Sequence, residues 1–227
     1  MKKKEFNYSI SNLFFITIII FYIFTVSTSI ARGFFIARLK YSGGGDWYND
    51  PDAIPNLAKE LNRRTNIKTE PEQRIVSLMD EELFQCPFLF MTGHGNINFS
   101  EQEVLRLRTF LTQGGFLYVD DDYGMDEAFR REIKKVFPNH DLVELPPDHP
   151  IYHIVYDFPN GLIQIHLHYE DNRPRGYAIF YDNRLVVYYT YNSNISDGWT
   201  DAHEDPTEKR EQAFQMGINI VAYALTH

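Results

Sequence analysis

Short apolar runs alternate with helical stripes through the first two thirds of this chain, and no other feature limits its fold as much. Phe34 to Tyr41 reads as a strand ending at Gly43-Gly44-Gly45. A weaker run spans Ile75 to Leu78. Phe88 to Thr92 lies between Pro87 and Gly93, and Phe116 to Val119 is closed by Asp120-Asp121-Asp122. Between them, Ile54, Leu57, Ala58 and Leu61 keep a helical period behind Asp50 or Asp52, with Pro55 delaying the regular helix. Ser100 and Glu103 form a capping box before Val104, Leu107 and Leu111, and Gly114-Gly115 ends that helix. Asp126 opens a third helix through Ala128, Phe129, Ile133 and Val136, stopped at Pro138. Strands alternating with helices of this length predict a mostly parallel sheet with helices on both faces.

The last third changes character. Leu162 to Leu167, Gly176 to Tyr181 and Leu185 to Thr190 read as strands, the last two joined by a hairpin at Asp182-Asn183. They predict an antiparallel addition to the sheet. Asn192 to Pro206 is polar and loop-like, and Glu208 to Leu225 is an amphipathic helix. Aromatics reach 15% of the chain, which suits a sheet with large core side chains.

Residues 1–31 stand apart. Lys2, Lys3 and Lys4 precede an apolar core from Leu13 to Val26, and Ser29 and Ala31 place small residues at a cut after Ala31. This is the layout of a signal peptide, with a retained membrane anchor as the rival. The expected organisation is therefore a leader over 1–31 and one domain over 32–227, exported to the periplasm or cell envelope. Cleavage removes three lysines and one glutamate, taking the net charge from −9 to −11. Such acidity argues against nucleic acid, and leaves membrane contact only to an uncleaved N-terminal segment. Cys86 is the only cysteine, so an intrachain disulfide and a multi-thiolate zinc site are both excluded.

Ligands of open parallel sheets sit beyond the carboxyl ends of the strands. Three polar loops are expected there. The first supplies Gly44, Gly45, Asp46 and Trp47, the second His94 and the third Asp120, Asp121, Asp122 and Tyr123. Glycines admit close backbone approach. A carboxylate beside His94 can activate water. His94, Asp121 and Asp122 are the candidate acid–base groups, and Asp46, His94 and Asp121 are expected to converge. His149 joins the ligand-binding candidates. His149/His153 and His166/His168 have spacings that suit metal ligands, but no metalloprotein signature accompanies them, so no metal ligand is assigned and no cofactor is named. Trp199 either stacks on a ligand or plugs its loop onto the body, the second being favoured.

Tyr41 to Tyr48, Thr92-Gly93-His94-Gly95, Gly114-Gly115-Phe116 running into Asp120 to Gly124, and Asp148 to Tyr152 together resemble the blocks of family 4159 of the domains of unknown function. The resemblance covers roughly Phe34 to Thr226. It implies a flavodoxin-like, class I glutamine amidotransferase-like fold, related to trehalose-utilisation-like proteins. It also implies a bacterial export-associated context with von Willebrand A-type and MoxR-type partners. In glutaminases of this fold the nucleophilic cysteine occupies a strand-to-helix turn, which here is Asp120 to Gly124 and holds no thiol. The expectation is a non-glutaminase module that binds a small polar ligand or an envelope protein. The alternative is a glycan or peptide hydrolase using Asp/His acid–base groups, with or without a metal.

Overall fold

The computed structural model describes residues 34–166, 168 and 173–227; the expected leader and its cut after Ala31 lie outside the described residues. Residues Gly33–His227 form one compact unit. Among the described residues no helix is long and apolar enough to cross a membrane.

Seven strands build one sheet: β1 (Ile36–Lys40), β2 (Arg74–Ser77), β3 (Phe88–Met91), β4 (Phe116–Asp120), β5 (Val143–Glu144), β6 (Arg175–Tyr181) and β7 (Arg184–Tyr191). Their order is β2-β1-β3-β4-β7-β6-β5. The contacts from β2 through β7 are parallel, and those of β7 with β6 and β6 with β5 are antiparallel. Among the described residues four α-helices accompany the sheet: α1 (Ala53–Arg64), α2 (Glu101–Thr112), α3 (Asp126–Val136) and α4 (Thr207–Thr226).

The period of two along each strand sorts the core into two layers. Phe88, Phe90, Phe116 and Tyr118 share one layer with Leu57 of α1 and Ile220 of α4. Leu89, Met91, Leu117 and Val119 share the other with Leu107 of α2 and Ile133 of α3. Helices therefore cover both faces. The first layer is aromatic, with Phe88 stacked on Phe116 at 5.4 Å between centroids. Trp199 is wedged against Phe90 and Tyr118 at 5.7 and 6.1 Å. Its Nε1 donates to Ala213 O at 2.8 Å, so Trp199 is the plug of its loop.

Local signals set several boundaries. Both halves of the Ser100–Glu103 capping box form. Asp182 and Asn183 take φ of 49° and 63°, the left-handed pair that a tight two-residue hairpin requires. Pro55 is the third residue of α1, inside the first turn, where a missing N–H costs no helical bond.

Two expectations need correction. Residues 162–166 are not a strand; they bond instead to the chain beyond β7, through Ile165 N to Ser193 O at 2.8 Å and Ser193 Oγ to Ile163 O at 2.6 Å. The hairpin β6–β7 is antiparallel within itself, but β7 also pairs in parallel with β4, Leu117 opposite Val187 and Asp120 opposite Thr190. The chain leaving β7 therefore emerges at the same edge as the chains leaving β1, β3 and β4.

Candidate functional site

The loops after β1 and β3 are zipped together. Gly45 N donates to Asn96 O at 2.9 Å, and Asn98 N donates to Ser42 O at 2.8 Å. A Cβ on Gly45 would lie 2.7 Å from His94 O. That glycine serves loop-to-loop contact, whereas Gly44 stands in open space. Gly93, at φ 133°, has room for no Cβ either, since one would sit 2.9 Å from Asp46 Oδ1. The bare backbone lets Asp46 grip the next residue twice: Oδ1 accepts His94 N at 2.5 Å, and Oδ2 lies 3.0 Å from His94 Nδ1. Trp47 packs its ring against Lys40 and Tyr48.

With Nδ1 held by Asp46, the other ring nitrogen of His94 faces the third loop. Nε2 is 3.3 Å from Asp122 Oδ2. His94 is half-exposed, so its ring is open to solvent at this edge of the sheet. Burial pushes its imidazole down, but Asp122 and Asp46 outweigh this and hold its pKa above the ordinary value. Burial likewise pushes Asp46 up, and the bonds from His94 overcome it.

The three consecutive aspartates have three separate jobs. Asp120 is fully buried; it accepts Thr190 Oγ1 at 2.5 Å and Ser196 N at 2.6 Å, pegging the chain beyond β7. Asp121 turns toward α3, where Oδ1 accepts Met125 N at 3.0 Å. That bond goes to the free amide ahead of the helix and not to Asp46 or His94. Burial pushes its carboxyl up to about 7. Asp122 is the one that enters the cleft. Its oxygens accept Asn49 Nδ2 at 2.5 Å and Asn194 Nδ2 at 2.9 Å. Tyr123 stands beside the cleft with its ring 5.2 Å from that of His168. His149 lies elsewhere: its ring packs on Phe180 and Tyr223, and Phe180 pairs with Leu185 at the start of β7, the opposite edge of the sheet.

The loop after β7 completes the site, and sequence reasoning left it out. Asn192 and Asn194 both adopt φ 54°, a conformation asparagine tolerates better than most residues. Asn194 Nδ2 then reaches Asp122 Oδ1, His168 Nε2 at 2.8 Å and Asp197 Oδ2 at 2.5 Å. His166 bridges two carboxylates, with Nδ1 2.8 Å from Asp197 and Nε2 2.9 Å from Asp205. The bond to Asp197 leads the effects that raise His166 to about 9. Burial pushes the His168 imidazole below its ordinary pKa. His203 Nε2 lies 3.5 Å from Asp50 and 3.7 Å from Asp197. The usable sequence signal was the run of asparagine, serine and aspartate from Asn192 to Asp197 directly after a strand.

Two trios offer ligand atoms within 4.8 Å of one another: Asp50, Asp197 and His203, and Asp122, His168 and Asp197. Mixed imidazole and carboxylate donors suit zinc-like divalent ions better than calcium or magnesium. Cys86 takes no part. It precedes β3 at the opposite edge, donates Sγ–H to Phe88 O at 2.8 Å, and is pushed by burial up to about 12. A concavity of about 560 Å³ beside Pro146, Tyr152 and Arg175 holds no histidine, so the chemistry and not the volume marks the site.

Fold and site together define an α/β protein with a cluster of aspartates and histidines at the carboxyl edge of its mostly parallel sheet. Residues 35–225 match the family described as Domain of unknown function (DUF4159), and the chain belongs to that family. No curated protein matches it.

Proposed function

We propose that the protein is a hydrolase that activates water at the carboxyl edge of the sheet, with His94 as the proton-transfer group. The carrying observation is the double grip of Asp46 on His94, which fixes the ring and presents Nε2 to the cleft at 3.3 Å from Asp122. A carboxylate on one ring nitrogen sets the tautomer, and the other nitrogen then exchanges protons with water. Nε2 takes a proton as the water oxygen bonds to the scissile carbon, and returns it to the leaving group. Asp122, fixed by Asn49 and Asn194, orients that water. The substrate class is a glycan or peptide, in keeping with an exported, envelope-facing protein of acidic surface. Fold kinship with class I glutamine amidotransferases is supported by the strand order β2-β1-β3-β4-β7, the flavodoxin-like arrangement with its fifth strand supplied by β7. Glutaminase chemistry does not follow, because the chain's single thiol is buried at the other edge.

Turnover of a panel of glycans and peptides tests the reading. His94→Gln should lower kcat by about 10²-fold or more, while His149→Ala leaves it unchanged. Full activity in His94→Gln refutes the assignment. Saturable ligand binding with no turnover by the wild type favours the second reading, a binding module.

A further inference from the structure

We propose that the cleft is a dinuclear centre for zinc-like divalent transition-metal ions, bridged by Asp197. One ion takes Asp50, Asp197 and His203, and the other takes Asp122, His168 and Asp197. Both trios bring one ligand atom per residue within 4.8 Å, and they share a single member, the carboxylate of Asp197. A carboxylate has two oxygens and can bind two ions at once.

Three observations carry the assignment beyond a gathering of charged groups. First, Asp197 Oδ1 is buried and accepts no hydrogen bond, while Oδ2 is crowded by Asn194, His166 and His203. A buried carboxylate oxygen without a donor opposes folding unless a cation meets it. Second, Asn194 is fully buried, and its Nδ2 sits among Asp122 Oδ1, His168 Nε2 and Asp197 Oδ2 at 2.9, 2.8 and 2.5 Å. An amide nitrogen has two hydrogens for these three acceptors. One of the three acceptors is therefore left short of a donor by this amide. Its own Oδ1 is buried without a partner. Third, among the described residues no lysine or arginine side chain pairs with Asp50, Asp122 or Asp197. Arg38 gives its hydrogen bonds to Gln73 and to the carbonyls of Trp47, Asn49 and Asp50.

The surroundings fit the second shell of a metal site. His166 clamps the bridging Asp197 from outside and is itself held by Asp205. His94, with Asp46 behind it, stands 3.3 Å from Asp122. Such outer partners orient ligands and raise their basicity. Three protein ligands per ion leave positions for water, the pattern of catalytic sites and not of closed structural ones. The assignment rests on ligand atoms alone and holds whether or not the proposed hydrolysis occurs.

The test reads metal directly. Tag-free full-length protein is stripped with chelator, then titrated with Zn²⁺ by calorimetry and with Co²⁺ by visible absorption. Two equivalents per chain are expected. Asp50→Asn and His203→Ala should each leave one. Asp122→Asn and His168→Ala should leave the other. Asp197→Asn should weaken both by about 10-fold or more, while His149→Ala keeps two. Binding of one ion or none by the wild type overturns the proposal, as does Asp197→Asn retaining two at full affinity. Should Asp197→Asn fail to fold by circular dichroism, the half-exposed His203→Ala decides: two undiminished equivalents there also overturn it. A chain that binds two ions but hydrolyses nothing refutes the proposed function and leaves this inference standing.

Discussion

Replacing Glu132 should unseat the loop that carries His94, although Glu132 lies on α3 and touches no cleft residue. Its carboxylate is fully buried. Oε2 accepts Phe99 N at 2.8 Å, while Arg131 Nε and Lys135 Nζ approach at 2.9 and 2.7 Å. Phe99 ends the segment that begins at Gly93, so this bond closes the loop from below. Glu132→Ala loses a hydrogen bond to a charged acceptor and strands a buried N–H, together about 2–3 kcal/mol. The two cations are half-exposed and add at most about 1 kcal/mol. Alanine's better helix propensity returns a few tenths. The expected loss is about 3 kcal/mol, or roughly 6–12 °C in Tm for a domain of this size. Glu132→Gln keeps an acceptor for Phe99 N and should cost only about 1 kcal/mol. Burial pushes the Glu132 carboxyl up, but Lys135, Phe99 N and Arg131 outweigh it and hold its pKa below the ordinary value. A depressed carboxyl stabilises the fold above its unfolded pKa and loses that contribution as pH falls through the folded one. The wild-type advantage over Glu132→Gln should therefore be flat from about pH 6 to 8 and shrink below about pH 4.3. Urea melts followed by circular dichroism measure all of this. Equal losses for Ala and Gln, or an advantage unchanged down to pH 3.5, would refute the reasoning.

Gly217→Ala should destabilise the protein by about 1–2 kcal/mol, because overpacking against a fixed ring exceeds the helix-propensity gain of about 1 kcal/mol. The new Cβ would lie 2.7 Å from Trp199 Cζ2 and 2.8 Å from Leu57 Cδ1; a raised Tm sinks the argument. Cys86 should resist iodoacetamide in the native protein at pH 8, since burial and a pKa pushed up to about 12 leave almost no thiolate. One alkylation per chain is expected only after denaturation, and rapid native labelling would contradict the buried position.

The parts of the fold written in short-range chemistry were legible. The Ser100–Glu103 box, the Asp182-Asn183 turn and the alternation of apolar runs with helical stripes each depend on residues a few positions apart. The partner of β7 was not, because a hairpin turn fixes only β6 against β7 and says nothing of the strand on the other side. That one undetermined pairing hid the loop from Asn192 to Asp205, and with it Asp197 and His203. The separate tasks of the neighbouring aspartates are hidden for a similar reason: both are candidate acid–base groups by sequence, yet Asp121 bonds the helix amide and Asp122 faces His94. Asp121 and Asp122 are chemically identical, and the choice between helix amide and cleft is made by the backbone direction at the end of β4. The spacing of His166 and His168 suits one face of a strand; both instead meet Asp197 or Asn194 from an irregular segment tied to Ser193 and Asn192.

The cleft is expensive, and the way it is assembled indicates what it is for. Asp50, Asp122 and Asp197 are each at most 6% exposed, and close approach of like charges in such a place opposes folding. Apolar residues would make the same loops more stable. Instead, groups with no place in the cleft chemistry hold the carboxylates where they are. Asp120 pegs Ser196 N, the Trp199 ring anchors the loop to α4, and Asp52 accepts Thr200 Oγ1 and Asp201 N at 2.5 and 2.9 Å. These ties come from β4, α4 and the start of α1, and they flank Asp197 in sequence on both sides. A loop tolerated merely as a connection would not need anchoring from three elements. Rigid support around electrostatically unfavourable groups is what a site requires when its ligands must be set before the ligand arrives. Weakening a support should therefore lower metal affinity more than the accompanying loss of stability alone accounts for, whereas an equally destabilising change at the opposite edge should leave the affinity of the folded protein unaltered.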